Sequence, residues 1–292
     1  KFGYDLMGRQ NKSVTPAGTI ARTVFDVRDL TISTWVGTND NGATDDDPTG
    51  GSAPGNNMVL VTENVYDYGE DGGDGNRTQT TAHVDDSTTR VTNLEFDFRN
   101  RQTVTEGEEN FCLENVYDNL NHAVQVNRYD STTGGNLIGR SETLFDDRDR
   151  TYRTLVYAVD VSTGTPGDAL VDDTWYDGDG NPIKNHPASS EAFVKSVFDG
   201  VSRKTTKYVG YYSGSGGESP DSITNDVIFD QAETEYDAAS NVVFVTSRQR
   251  FHDATGNGPL NGPEGEQPKS RDSYAATWFD GSGRQIATGN YG

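Results

Sequence analysis

Phe279-Asp280-Gly281-Ser282-Gly283-Arg284 is an aromatic residue, an aspartate, three small or polar residues and an arginine. The same spacing recurs at Tyr4-Asp5…Arg9, Phe96-Asp97…Arg101, Phe145-Asp146…Arg150 and Phe198-Asp199…Arg203. Five copies in 292 residues mark a repeat protein, so periodicity is read before anything else. A second form closes on asparagine, at Tyr176-Asp177…Asn181 and Tyr236-Asp237…Asn241. Tyr117-Asp118-Asn119-Leu120-Asn121 is one residue short of it, and Phe251-His252-Asp253…Asn257 is a looser copy. Tyr66-Asp67 and Tyr129-Asp130 carry insertions before Asn76 and Asn136, and Phe25-Asp26 has Leu30 where arginine is expected. With Phe229-Asp230, the chain holds twelve aromatic-Asp dipeptides.

The physical sense of the pair is a strand ending in a tight turn. The aromatic ring is the last inward side chain. The aspartate accepts hydrogen bonds from backbone N–H groups further on, and Gly, Asn or Ser near the third or fourth following position tolerates positive φ. The arginine starts the return strand and can reach back to the aspartate or across to the next repeat. An Asp–Arg pair repeated five times reads as structural rather than catalytic. From Asp67 onward the arginine and asparagine forms tend to alternate, which predicts a super-repeat of two hairpins.

Between the turns the pattern is that of strands. Leu155, Tyr157 and Val159 alternate with smaller residues, as do Val124 and Val126 with Gln125. Val242–Val245 is a continuous apolar run and predicts a strand covered on both faces. The best helical stretch is Ser189–Val194, about one turn, so the fold expected is all-β. Polar stretches at Thr38–Asn57, Gly69–Thr78, Ser162–Ala169, Ser213–Ser222 and Ala254–Ser273 are expected as loops opposite the Asp turns. No shift of composition divides the chain, so residues 1–292 are read as one array, cut from a longer polypeptide because the first residues already belong to a repeat.

Hydrophobic residues make up 32%, below the globular norm of roughly 45–50%. The 29 aromatic residues and the Val/Thr/Tyr-rich runs nevertheless argue for a folded β protein. The formal net charge is −22. That excludes a nucleic-acid partner, whose phosphates need a basic surface, and disfavours anionic lipid. No apolar run spans a membrane as a helix, so membrane insertion is not expected. One cysteine, Cys112, allows no intrachain disulfide and reads as a small core residue.

The repeated units resemble the RHS/YD-repeat family, whose motif is Tyr-Asp-x-x-Gly-Arg followed by a strand. Tyr4-Asp5-Leu6-Met7-Gly8-Arg9 and Phe279–Arg284 match it closely, Phe198…Arg203 has Ser202 for the glycine, and Phe96…Arg101 and Phe145…Arg150 lack it. The resemblance runs end to end, with longer insertions than the family's. It implies β-hairpins coiled side by side into a continuous sheet, as a spiralling barrel, tube or shell. It also implies an extracellular or cell-surface setting, since members include toxin-encapsulating cages and adhesion proteins. The cages close on a motif around Asp-Pro-x-Gly. Asp47-Pro48-Thr49-Gly50 matches only superficially and lies near the wrong end.

Little in the sequence carries chemistry. Asp177-x-Asp179-x-Asn181 has the spacing of the first three ligands of a calcium loop, but Pro182 stands where glycine is needed and Ala188 where the bidentate glutamate belongs. Calcium is the only cofactor with even this seed. His83, His122, His186 and His252 are scattered, with no zinc spacing. No local signature joins a nucleophile to a base, and 46 acids do not single out a pair. The chain is therefore expected to be non-enzymatic. Its expected partners are neighbouring repeats or further copies of itself. Trp35, Tyr208, Tyr211, Tyr212 and Tyr291 are candidates for a glycan surface, although cross-strand packing explains each as well. The readings in order are a structural or fibre-forming segment, part of a cargo shell, and a glycan- or calcium-binding adhesion module.

Overall fold

The computed structural model describes residues 1–67, 74–85, 87–107, 111–131 and 134–292. Among these the protein is all-β: twenty strands, assigned to one antiparallel sheet, and no helix. The described residues divide into two compact units, Lys1–Arg140 with Val159–Gly167, and Ser141–Ala158 with Asp168–Gly292.

The first unit contains β1 (Phe2–Tyr4), β2 (Gln10–Val14), β3 (Ile20–Phe25), β4 (Thr31–Gly37), β5 (Val59–Tyr66), β6 (Arg77–His83), β7 (Thr89–Phe96), β8 (Gln102–Gly107), β9 (Phe111–Tyr117) and β10 (Ala123–Tyr129). Each of these ten pairs antiparallel with the next in chain order. Then follow β11 (Leu137–Phe145), β12 (Thr151–Asp160) and β13 (Thr165–Tyr176). The second unit continues with β14 (Pro182–His186), β15 (Phe193–Phe198), β16 (Lys204–Tyr212), β17 (Asp226–Tyr236), β18 (Val242–Arg250), β19 (Ser270–Phe279) and β20 (Gln285–Tyr291). From β13 to β20 every strand again pairs with its successor. Because each strand meets its chain neighbour, almost all pairing is local, as the hairpin reading requires.

In such a meander alternate connections fall at the same strand ends. All ten connections that follow an odd-numbered strand begin with an aromatic-Asp dipeptide: Asp5, Asp26, Asp67, Asp97 and Asp118 in the first unit, and Asp146, Asp177, Asp199, Asp237 and Asp280 in the second. Two of the twelve dipeptides fall elsewhere. Asp130 opens a turn of the other set, between β10 and β11. Phe229-Asp230 lies inside β17, with Asp230 paired to Val209 and Gln249. Gln231-Ala232-Glu233 follows it, and none of these adopts positive φ readily, so the strand runs on.

Three further expectations are corrected. Ser189–Val194 is not helical. Ser189 has a φ of 58°, a turn joins Ser190 N–H to Pro187 O, and Phe193 already begins β15. Val242–Val245 is not covered on both faces, since Val242 is exposed. The Gly69–Thr78 stretch belongs to the Asp turns, between β5 and β6, and not to the opposite set. Its first residues, Asp71 among them, lie outside the described residues, as does Asn110 beside Cys112. Phe251-His252-Asp253 is a poor copy: Phe251, not an aspartate, donates its N–H to the closing Lys269 O (3.1 Å).

The apolar core is thin. In the second unit Phe193, Ile228 and Leu260 form a buried cluster, with Tyr208, Tyr212 and Ile223 packed on it. Leu260 comes from the long β18–β19 connection and Ile223 from the β16–β17 connection, so these loops fold back over the sheet face. In the first unit Ile20, Val24, Met58, Val104 and Leu137 are buried, together with Cys112, as its apolar neighbours implied.

Candidate functional site

The one feature repeated throughout the molecule is the row of aspartate turns. In each of the ten, the aspartate N–H donates to the carbonyl of the residue that closes the turn, at 2.9–3.0 Å. In each, the residue just before the closing one has positive φ: Gly8, Asp29, Gly75, Asn100, Asn121, Asp149, Gly180, Ser202, Ser240 and Gly283. That is why Gly, Asn, Asp and Ser alone occupy this position. The aspartate side chain then fills the loop. At Asp146, Oδ1 accepts from the N–H groups of Arg148 (2.9 Å) and Arg150 (3.1 Å), while Oδ2 takes Arg150 Nε (2.8 Å) and Nη2 (2.6 Å). Where arginine is absent, Asn181 and Asn241 donate Nδ2–H to the same oxygen at 2.9 and 2.8 Å, and His122 Nδ1 lies 2.8 Å from Asp118 Oδ2.

The closing arginine also crosses to the next turn. Arg9 Nη1 donates to Asp26 O (2.6 Å) and Asp29 Oδ1 (2.9 Å). Arg101 Nη1 reaches Asp118 O (2.7 Å) and Asn121 Oδ1 (3.1 Å), and Arg203 Nη1 reaches Asp237 O and Ser240 Oγ, both at 3.2 Å. Each guanidinium also lies over the aromatic ring of the turn it clamps: Phe25 at 4.8 Å, Tyr117 at 4.7 Å, Tyr236 at 4.8 Å, and for Arg150, Tyr176 at 4.3 Å. In the turn beside Arg150 the accepting position is Gly180, which has no side chain, and Arg150 Nη1 is buried without a partner.

A second contact runs the other way. The hydroxyls of Tyr66, Tyr117, Tyr176 and Tyr236 donate to Thr31 O, Gln102 O, Thr151 O and Lys204 O at 2.8–3.0 Å. Each acceptor is the first residue after the preceding turn. That preceding turn always starts with phenylalanine, because the ten aromatics alternate strictly: Tyr4, Phe25, Tyr66, Phe96, Tyr117, Phe145, Tyr176, Phe198, Tyr236, Phe279. The alternation was open to inspection in the sequence, but treating Phe and Tyr as equivalent hid it. Its meaning is chemical: a phenylalanine turn supplies the carbonyl, and a tyrosine turn supplies the donor.

The ladder leaves an acid signature. The Arg150 side-chain hydrogen bonds, then the backbone N–H groups, lower Asp146 to about 2. Asp97 is lowered for the same first reason, through Arg101. Because folding depresses this pKa, the unfolded chain takes up the proton first as pH falls. The contribution of Asp146 is whole above about pH 4, the ordinary aspartate range, and is lost as pH falls towards about 2. Thermal melts should therefore show Asp146→Asn less stable than the parent chain at pH 6, with the gap closing at the acid end. A constant gap across that range would rule out the charged pair as its source.

Asp177, Asp179 and Asn181 take the same turn geometry. Asp177 Oδ1 accepts from the N–H groups of Asp179 and Asn181, and Oδ2 from Asn181 Nδ2. Asp47 is used alike, taking the N–H groups of Thr49 and Gly51. Among the described residues no three His, Cys, Asp or Glu side chains converge as metal ligands. The aromatic candidates for a glycan surface divide. Tyr208 and Tyr212 lie on the core cluster and Trp35 Nε1–H donates to Ser33 Oγ, whereas Tyr211, 6.1 Å from Phe229, and Tyr291, stacked on Tyr274 at 5.3 Å, keep exposed surface.

A second polar site, not expected from the sequence, lies in the second unit. Lys184 on β14 and Lys195 on β15 are direct cross-strand partners, and both side chains are about 3% exposed. Lys184 Nζ lies 2.6 Å from Glu218 Oε2. Lys195 Nζ donates at 2.7 Å to each of Asp226 Oδ2, Ser219 O and Ser222 O. Phe193 and Trp175 wall the two ammonium groups at 4.3–5.1 Å. Burial pushes the Asp226 carboxyl up from its ordinary value despite the lysine beside it.

No family model matches the chain, and no curated protein matches its sequence. A solved structure matches its fold. The crystal structure of TcdB2-TccC3-TEV aligns over 99% of this chain at 9% identity, with a TM-score of 0.53. The Photorhabdus luminescens Tc holotoxin pore with the TccC3-D651A mutation aligns over 98% at 10% identity, with a TM-score of 0.30. This chain spans only 15% of the first of those proteins and 19% of the second. The likeness to the first is one of fold: an all-β, RHS-like run of hairpins.

Proposed function

We propose that this chain is a non-enzymatic structural segment of an extracellular YD-repeat assembly, a length of wall whose repeats bind one another and further copies of the chain. The observation that supports this is the ladder. In every one of the ten turns the aspartate's N–H closes the loop, and Arg9, Arg101 and Arg203 tie one turn to the next, so the motif's charged groups are engaged in holding the turns.

The same ladder supports one partner for β20 of this stretch of chain, a second copy of it. β20 follows a phenylalanine turn and is exposed along most of its length, with Arg284 79% exposed and paired only within its own turn. A tyrosine turn is what this phase calls for next, and Tyr4–Arg9 is one, with Tyr4 exposed. Strand β1 of a second copy would run antiparallel to β20 and keep the turns on the same edge. By the register of β16 with β17, Gly3 would face Gln285, the Tyr4 hydroxyl would donate to Gln285 O, and Arg284 would cover the Tyr4 ring. An unpaired edge strand is a template for such addition.

The test is the mass in solution against concentration, by light scattering, with electron microscopy of the concentrated sample. Growing particles that Arg284→Ala shortens are expected. A monomer at every concentration would remove the head-to-tail reading.

A further inference from the structure

We propose that Lys195 and Asp226 form an intramolecular isopeptide bond, with Glu218 carrying the proton. The three residues come from β15, the first position of β17 and the loop between β16 and β17, and the fold brings them together beside the Phe193 ring. Lys195 Nζ is 2.7 Å from Asp226 Oδ2, and their side chains are 3% and 1% exposed. Glu218 Oε1 is 3.2 Å from the same nitrogen, buried, and without a hydrogen-bond partner of its own. The Phe193 ring lies 4.5 Å from Lys195 Nζ and keeps water from that side.

The chemistry balances with no reagent beyond these groups. Lys195 gives a proton directly to Asp226 Oδ2 across their 2.7 Å contact, which leaves a neutral amine and a neutral carboxyl. The amine lone pair attacks Cγ of that carboxyl, and a C–N bond forms. Glu218 Oε1 takes a proton from the attached nitrogen and passes it to the hydroxyl of the tetrahedral carbon. That hydroxyl leaves as water as its C–O bond breaks and the carbonyl re-forms. The products are one amide and one water, and Glu218 ends as it began. Burial supports the first step. It raises the Asp226 pKa, so the carboxyl takes the neutral, reactive form more readily. Holding amine and carboxyl in contact replaces an encounter between separate molecules. The bond also removes two buried charges whose desolvation is costly.

Lys184 supplies the balance. Its ammonium pairs with Glu218 Oε2 at 2.6 Å, so one ion pair remains in the pocket after the amide forms. The link would close the chain between residues 195 and 226 and constrain the unfolded state as a disulfide does. A chain with one cysteine has no intrachain disulfide to use.

Intact mass spectrometry of the purified, denatured chain reads the result directly. The expected mass is that of the sequence less one water, with a branched proteolytic peptide joining Lys195 to Asp226. Lys195→Arg and Glu218→Gln should restore the full sequence mass, whereas Lys184→Arg should keep the loss. A parent chain at full sequence mass overturns the proposal, and so does a branched peptide that contains Lys184 in place of Lys195.

Discussion

Replacing Phe193 with alanine is expected to destabilise the protein by about 3–5 kcal/mol, the usual range for a buried aromatic. The side chain is fully enclosed, at 1% exposure, and joins Ile228 and Leu260 in the buried apolar cluster of the second unit. The loops that carry Leu260 and Ile223 close on the sheet through it, so the void left by its ring would not collapse easily. Phe193 also faces both buried lysines, at 5.1 Å from Lys184 and 4.5 Å from Lys195. Removing the ring therefore admits water to a charged pocket as well as emptying a cavity. Urea melts measure the total, and hydrogen exchange locates it. The protection lost should be concentrated in β15 to β17 and the two loops. Phe193→Leu should recover a large part. A loss below about 1 kcal/mol would show that the pocket is already wet.

Replacing Lys184 with methionine is expected to cost about 1–3 kcal/mol, because Glu218, only partly buried at 23% exposure, loses its closest partner. The methionine keeps most of the apolar stem against Trp175 and Phe193, so the loss measures charge rather than packing. Glu218 retains only the longer contact to Lys195, 3.2 Å against 2.6 Å. On a Lys195→Arg chain, which cannot form the amide, adding Glu218→Gln to Lys184→Met should recover most of the stability, since the orphaned charge is then gone. The two changes must be strongly non-additive, and a thermodynamic cycle on the four chains checks this. Simple additivity would mean that the lysine and glutamate do not share the pocket.

Both expectations concern residues that carried no signal in the chain itself. Lys184 sits in Pro182-Ile183-Lys184-Asn185 and Lys195 in Phe193-Val194-Lys195-Ser196, where isolated lysines read as solvated. The β14–β15 register sets them opposite each other, and the loop carrying Glu218 covers them. Neither the register nor a loop's resting place follows from local propensity. The turns behave differently. Asp146 meets its partners within four residues, so spacing alone foretold the contacts. The same local logic misplaced Asp230, whose dipeptide matched while its following residues did not, and it saw a helical turn at Ser189, whose positive φ forbids one.

By itself the sequence determined the unit of construction: a strand, an aspartate turn closed four residues on, and a return strand, repeated to give an all-β array. That much is local chemistry, since an Asx carboxylate, a residue tolerant of positive φ and a closing donor lie within one short loop. Only the tertiary structure decided what passes between units of construction. It showed arginine clamping the next turn, tyrosine answering phenylalanine, and two lysines buried with two acids. Those contacts join residues 15 to 37 positions apart, and their partners are chosen by strand pairing and loop closure rather than by neighbours in the chain.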